Sequence, residues 1–256
     1  MKPTEINDRK YFQEYHKRIG KNVEALWKNA DLKNGKVELM YHIISSAVYS
    51  SNIEGNPLDL NSYMNFRLAK RKATKMEKEI KDLEQAYEFA KVHAFSEKNF
   101  LQAHEKLSAT YLIKSKRGKY RTGKIGVFSE SGLVYLAVEP ELVKKEMKLF
   151  FASLKKILKE KLNTEKAFYF ASLYHLKFVH IHPFADGNGR AARLLEKWFL
   201  AKFLGVNAWK ISSEQFYKEH QQEYYNNINL GVNYYELNYD KCLPFLEMLP
   251  KALKKN

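Results

Sequence analysis

The chain has a single cysteine, Cys242, only 11 glycines and 6 prolines, and no long run of uncharged apolar residues. One thiol cannot build an internal disulfide framework, which removes the small bridge-stapled secreted domains from consideration. No apolar stretch follows Met1, Lys2 and Pro3, so no secretory signal is read and the cytoplasm is the expected compartment. The greasiest stretch, Leu194 to Leu204, is broken by Glu196, Lys197 and Lys202 and falls short of the roughly 20 apolar residues that cross a bilayer. A membrane protein is not expected. Arginine is scarce too: of 44 basic residues only those at positions 9, 18, 67, 71, 117, 121, 190 and 193 are Arg. The net charge of +15 is therefore a lysine excess, spread along the chain as on solvated helix faces; an anionic partner is the competing reading.

What is present reads as one helical domain. At 256 residues with 45% hydrophobic composition, the chain can fill a substantial core. Apolar spacings of three and four residues predict helices at roughly 8–29, 36–53, 59–70, 75–94, 98–113, 140–160, 164–180, 188–203, 212–228 and 238–252. Short connections imply a bundle-like, all-α core. Lys70, Arg71 and Lys72 mark the expected seam between an N-terminal helical extension, 1–74, and the remainder, 75–256.

One segment departs from this pattern. From Gly118 to Val138, four glycines alternate with β-favouring Tyr120, Ile125, Val127, Phe128, Val134 and Tyr135, and a turn at Ser129, Glu130, Ser131 and Gly132 splits it into a hairpin. A lone hairpin is marginal in water, so it is either a decoration or a flap packed over a site.

The stretch from His182 to Arg193 carries chemistry in twelve residues. Pro183 drives His182 out of the helical region, ending the preceding helix and presenting the imidazole on a loop. Asp186 to Gly189 tolerates unusual dihedrals and feeds directly into an amphipathic helix, whose free N–H groups and positive dipole end suit a phosphate. Asn188 or Asp186 could cap that helix. Arg190 and Arg193 share its first turn, where cations oppose the dipole, which suggests a polyanionic ligand. Asp186 supplies the carboxylate oxygen that a triphosphate-bound Mg²⁺ would use. His175, His180 and His182 lack the spacing of a one-face pair, so zinc is not expected.

His182 through Arg193 also resembles, without a gap, the His-x-Phe-x-(Asp/Glu)-Gly-Asn-Gly-Arg-x-x-Arg signature of Fic domains (filamentation induced by cAMP), most of whose characterised members are protein AMPylators. Leu173 to Ile181 is similar to the helix leading into that motif, and Gly118 to Arg121 to the start of its flap, which moves the hairpin towards a functional role. The resemblance covers roughly residues 75–250 and implies a Fic-type helical bundle with ATP and Mg²⁺ as its small molecules. It makes His182 the base for a Ser, Thr or Tyr hydroxyl of a protein target, Asp186 the Mg²⁺ ligand, and Gly187, Asn188 and Gly189 the anion hole. Arg190 and Arg193 would hold phosphates, Arg193 the γ-phosphate. Tyr225 would lie near the base, with Asn229 and Asn233 both possible as its companion. Tyr120, Ile125, Gly126 and Val127 would belong to the flap that docks an extended target segment by main-chain pairing.

A second constellation lies upstream, from Ser50 to Pro57. Gly55 and Pro57 close the helix begun near Lys36, so Glu54 meets its negative end at a cost of a few tenths of a kcal/mol unless a cation compensates, on the order of the usual dipole effect. Ser50 to Gly55 resembles the (Ser/Thr)-x-x-x-Glu-(Gly/Asn) inhibitory motif of Fic proteins that carry it before the catalytic core. The resemblance implies that Glu54 pairs with Arg193 and occupies the γ-phosphate position.

Rival readings remain: a same-fold transferase of UMP, GMP, phosphocholine or phosphate, a de-AMPylase, a scaffold without catalysis, or, from another class, a basic nucleic-acid-binding protein. The scaffold is disfavoured because every chemically required motif position is filled. No helix-turn-helix, zinc module or stacking platform supports nucleic acid. A homodimer and self-modification are compatible with the sequence.

Overall fold

The computed structural model describes residues 2–30, 36–129 and 132–254, the side chains of 36, 37 and 129 excepted. Its elements are α1 (Phe12–Tyr15), α2 (Lys21–Asn29), α3 (Lys36–Ile53), α4 (Leu60–Leu68), α5 (Lys75–Val92), α6 (Glu97–Leu107), α7 (Pro140–Ile157), α8 (Thr164–Ile181), α9 (Asn188–Leu204), α10 (Ser213–Glu219), α11 (Gln221–Ile228) and α12 (Leu243–Lys251), with β1 (Gly126–Ser129) and β2 (Gly132–Leu136). The fold is all-α with one hairpin, as expected. Its helices start where short polar side chains accept first-turn N–H groups: Asp59 from Ser62, Ser96 from Asn99, Asn163 from Lys166, and Thr74 within a capping box closed by Glu77.

At the centre stands α8, buried almost all round, as a helix apolar on every face must be. It packs on α9 through the motif loop's hairpin-like return; α2, α7 and α12 cover α8, α5 and α6 cover α9, and α3 lies across α5, α9 and α10. Two buried cations tie this shell together. Lys177 of α8 binds Asp8 and the Ile6 carbonyl, and Lys197 of α9 binds Glu214, Ser46 and the Ile211 carbonyl. Lys197 thereby links α3 and α10 to the central pair. Removing either partner of such a pair would strand a buried charge.

Several boundaries differ from the expected ones for local reasons. The first helix starts at Phe12, because Asp8 is drawn to Lys177 and Asn7 turns the chain by accepting the Arg9 N–H; it then widens to a π segment at His16–Gly20. The α6 helix stops at Leu107 because the Ser108 hydroxyl bonds the His104 carbonyl and competes with the helical ladder. The expected helix 212–228 is two helices, broken at His220, whose ring stacks on Phe216 and hydrogen-bonds its carbonyl. The stretch 238–252 begins as a 3-10 turn at Tyr239–Lys241 before α12.

The hairpin pairs Gly126 with Leu136 and Val127 with Tyr135, with an irregularity before Phe128; Glu130 and Ser131 of its expected turn lie outside the described residues. Leu136 bonds backbone to backbone with Val232 and Tyr234, which occupies the far side of β2. The outer edge of β1 has no strand partner among the described residues. No helix of the described chain is long and apolar enough to cross a membrane.

Candidate functional site: an uncapped helix end beside a neutral imidazole

The loop between α8 and α9 is held from three sides. His182 adopts the left-handed region (φ 51°, ψ 57°), where no other non-glycine residue sits among those described. Pro183 thus excludes the α-helical region as expected, but the chain turns left-handed rather than extended. Such a conformation costs roughly 1–2 kcal/mol and persists only where surroundings over-determine it. Arg121 supplies much of that determination: its N–H bonds the Pro183 carbonyl at 2.8 Å, and its guanidinium, almost fully buried, bonds the carbonyls of His182 (2.7 Å), Gly123 (2.9 Å) and Val138 (2.5 Å). One side chain therefore fastens the flap to the loop.

The other two fastenings are internal to the motif and from α6. The Asn188 amide closes a reciprocal pair with the backbone of Phe184, accepting from its N–H at 2.8 Å and donating to its carbonyl at 2.9 Å. Phe184 fills the core beneath, its ring stacked on His104. His104 accepts from the Gly118 N–H through Nδ1, so its Nε2–H donates to the Asp186 carbonyl (3.0 Å each). Burial pushes the His104 pKa down to about 4, consistent with that neutral tautomer.

These fastenings leave the start of α9 open. Its N-cap is Gly187, in the left-handed region at φ 80°, and no side chain caps it. Asn188 and Asp186, both expected as possible caps, point elsewhere: Asn188 staples the loop and Asp186 accepts from the Gly187 N–H at 2.5 Å and from Arg190 at 3.2 Å. The first-turn N–H groups and the dipole are therefore left unsatisfied by any side-chain cap, as suits an anion. A side chain at Gly187 would strike the Tyr111 hydroxyl, and one at Gly189 would enter the space held by the Glu54 carboxylate.

Arg190 and Arg193 flank this end, both buried. The Arg190 guanidinium lies 3.8 Å from the Tyr111 ring centre, and its buried Nε lacks a hydrogen-bond partner. Arg193 donates to Ser50 Oγ (2.8 Å), the Ser50 carbonyl (2.9 Å), Tyr224 Oη (3.3 Å) and Glu54 Oε1 (2.7 Å). Behind it, Tyr224 bonds His175 Nε2, and His175 Nδ1 bonds the buried Glu196. Burial alone would raise the Glu54 pKa, but the Arg193 and Arg190 charges outweigh it and hold the carboxyl below its ordinary range. Glu54 lies one residue beyond α3 rather than in its last turn.

The His182 ring has a fixed partner on one nitrogen. Its Nδ1 lies 3.1 Å from the Val179 carbonyl, which can only accept, so Nδ1 carries the proton and Nε2 the lone pair. Burial lowers its pKa below 6.5, a carbonyl partner and nearby carboxylates only partly opposing this. The imidazole is neutral at pH 7.

The remaining expected residues divide. Gly126 and Val127 lie in β1, and Ile125 continues the ladder by accepting from the Ala137 N–H. Tyr120 instead faces inward, stacked on Phe184 with its hydroxyl on Glu97. Tyr225, half exposed, donates to the Ile53 carbonyl at 2.9 Å, so it touches α3. Asn233 bonds Glu236, and the Asn229 N–H bonds the Tyr225 carbonyl. His175 and His180 are engaged by Glu196 and Tyr224, and by Tyr239 and the Ile228 carbonyl. Sequence reasoning missed His104, Tyr111 and Tyr224 as parts of the site. His104 sits on an apolar helix face with Phe100 and Leu107, which is the only trace it leaves.

Residues 94–200 match the family model described as Fic/DOC family. Among curated relatives, the "Protein adenylyltransferase Fic" of Nematostella vectensis is 29% identical over 160 residues, 58% of this chain and 35% of that protein. The protein of the same description from Aedes aegypti is 39% identical over 75 residues, 27% of this chain and 14% of that protein. The chain thus spans about a third or less of the length of these relatives. Among solved structures, a Fic family protein from Desulfovibrio desulfuricans superposes with TM-score 0.74 at 24% identity, covering 99% of this chain and 74% of that one. A Fic domain containing signaling protein from Bacteroides thetaiotaomicron gives TM-score 0.69 at 22% identity, covering 91% and 92%. These two share the fold.

Proposed function

From the match of residues 94–200 to the Fic/DOC family model, we propose that this chain is a Fic domain protein adenylyltransferase that moves AMP from ATP to a hydroxyl side chain of another protein, and that Glu54 holds it in check. The observation that carries this reading is the neutral His182 imidazole, its Nε2 lone pair unprotonated, beside an uncapped helix end flanked by Arg190 and Arg193. In the reaction, Nε2 takes the proton of a Ser, Thr or Tyr hydroxyl while that oxygen attacks the α-phosphorus. The bond from the α-phosphorus to its bridging oxygen breaks and pyrophosphate departs. The helix N-terminus and the two arginines bind the charge of the triphosphate, the effect that dominates phosphoryl chemistry. The partnerless Nε of Arg190 is the kind of buried donor that an anionic ligand satisfies.

The donor set fits Mg²⁺ carried by the nucleotide. Asp186 is half exposed, and its Oδ2 receives no hydrogen bond from a described residue, while the described residues contain no cluster that would hold a metal unaided. A magnesium ion, which takes one or two carboxylates plus phosphates, would use Asp186 and neutralise phosphate charge.

Glu54 supports the second half of the proposal. Its carboxylate lies against Gly189 and Arg193, where phosphate oxygens would bind, and the two cannot be accommodated together. Lys218 of α10 and Gln221 and Tyr225 of α11 cap the last carbonyls of α3, Asn52 and Ile53, which steadies this arrangement. Tyr225, proposed to meet the adenine, would then sense both nucleotide and inhibitory helix. The free Cys242, buried with its thiol pKa pushed up to about 12, suits the cytoplasm proposed here as the compartment.

Intact-mass spectrometry of the chain with Mg²⁺ and each of ATP, UTP, GTP and CDP-choline, alongside His182→Ala, tests the proposal through self-modification. A mass gain of one AMP from ATP alone, absent in His182→Ala, is expected. Gain of a different group reassigns the donor, and gain that survives His182→Ala removes the imidazole from the chemistry.

A further inference from the structure

A cleft of about 420 Å³ opens between the beginning of the flap and the motif loop, and the chemistry above leaves it unused. Lys116, Lys119 and Lys124 line it, together with Tyr120, Ile125 and, from the motif loop, Ala185; no Asp or Glu is among its walls. The local sequence is unusually one-sided: Lys114, Lys116, Arg117, Lys119, Arg121 and Lys124 fall within eleven residues without an acid. The lysine excess stays dispersed along the chain, but in this stretch it is unbalanced by any acid.

The lysines among these charges are left without ion-pair partners, while Asp82 feels Arg117 and Glu139 feels Arg121 from a distance. The three lysines are exposed and none forms an ion pair among the described residues. Arg117 directs its Nε to the Leu112 carbonyl, and Arg121 bonds only carbonyls. Glu139, which feels Lys124 from a distance, is engaged by the Tyr235 hydroxyl. Like charges gathered round a concavity repel one another and focus a positive potential into it, which is relieved when an anion enters.

The neighbourhood decides which anion. The unpaired outer edge of β1 begins at Gly126, two residues beyond Lys124, and offers main-chain groups to an extended polypeptide. The cleft walls offer a nucleic acid base no free ring to stack on, since their aromatic, Tyr120, is held by Phe184 and Glu97; the exposed Phe128 stands on β1, outside those walls. We propose that this cleft takes acidic side chains of the target polypeptide, next to the residues paired along β1, so that hydroxyls flanked by Asp or Glu are selected. The proposal rests on the transferase reading for the identity of its ligand, but the binding it predicts requires neither ATP nor catalysis.

The test is fluorescence anisotropy of the full chain with a labelled peptide carrying one Thr between paired Glu residues, its Lys counterpart, and a thymidine oligonucleotide. The Glu peptide should bind, more tightly at low salt, and Lys116→Glu/Lys119→Glu/Lys124→Glu should weaken it about tenfold or more, the sum of several modest exposed charge contacts. The neutral Lys→Gln triple should fall in between. Reversal of three exposed lysines elsewhere, Lys155, Lys156 and Lys159, should leave binding within about twofold, melting curves confirming that all variants fold. Equal binding of Glu and Lys peptides, indifference to the cleft triple, or tighter lysine-dependent binding of the oligonucleotide would each overturn the proposal. AMP transfer without this peptide preference would remove the docking cleft alone; peptide binding without any transferred group would remove the transferase reading and leave the cleft standing.

Discussion

Replacing Glu54 tests the proposed inhibitory contact directly. In Glu54→Gln the shape is kept and the charge is lost; in Glu54→Gly the whole side chain goes and the space over Gly189 opens. Arg193 keeps three of its four acceptors, Ser50 Oγ, the Ser50 carbonyl and Tyr224, so the guanidinium stays in place for phosphate. The interaction removed is one charge-assisted hydrogen bond of 2.7 Å on a carboxylate that is 31% exposed. Such bonds contribute about 1.5–3 kcal/mol, and partial solvent screening favours the lower end, about 1.5–2 kcal/mol. If that free energy is what ATP must overcome, Glu54→Gly should raise self-modification by radiolabelled ATP roughly 10- to 30-fold, each 1.4 kcal/mol being about tenfold. Glu54→Gln should give a smaller gain because its amide still fills the space. Both variants should melt a few degrees lower, roughly 2–4 °C per kcal/mol for a chain of this size, so activity and stability move in opposite directions. Unchanged labelling, or an equal rise in a variant destabilised far from the site, would show that the Glu54–Arg193 pair does not gate activity.

Other outcomes follow from the same geometry. His182→Ala should lose about 10²–10⁴-fold in transfer rate, the usual contribution of a positioned base. His182→Gly should be equally inactive yet melt above His182→Ala, since glycine accepts φ 51° without a Cβ penalty; a lower melting point for the Gly variant would contradict the strain argument. In kcat/KM against pH, the rise assigned to the deprotonation of His182 should have its midpoint below 6.5, because burial holds its folded pKa under that value; a midpoint above 7 would exclude this imidazole as the base. Stability should respond to pH through His104 and His180, both held near about 4 by burial. A folded pKa depressed below the unfolded 6.5 means that the unfolded chain binds more protons in that window, so the stabilisation is complete above about 6.5 and is lost between there and about 4. Urea titrations across that range should show a falling midpoint, and a flat profile would mean that these rings are not buried neutral. Asn188→Ala should cost about 2–4 kcal/mol by leaving the buried Phe184 N–H and carbonyl unpaired, visible as a drop of roughly 5–15 °C in melting temperature.

Helix positions were largely legible because amphipathic spacing and caps such as Thr74 with Glu77 act over three or four residues. The misplaced ends were those set by distant or competing bonds: Asp8 pulled to Lys177, Ser108 turned back on His104, His220 stacked on Phe216. Within the site, the run from His182 to Arg193 was readable because its glycines, proline and arginines have local consequences. The roles of His104 and Tyr224 were not, since they act on residues 14 to 82 positions away. Tyr120 shows the converse, a residue expected on the flap that the core claims instead.

By itself the sequence determined the helical class, the hairpin, the loop-borne imidazole and the glycine turn that opens α9, because backbone dihedrals and short-range periodicity follow from neighbouring residues. Only the tertiary structure decided that Asn188 staples rather than caps, that Arg121 locks the flap to the loop, and that the lysines of 116–124 surround one cleft. Each of those is a contact between groups brought together by burial of a shared core, and charges or hydrogen-bonding groups far apart along the chain acquire their energies only at the distances that the packed helices impose.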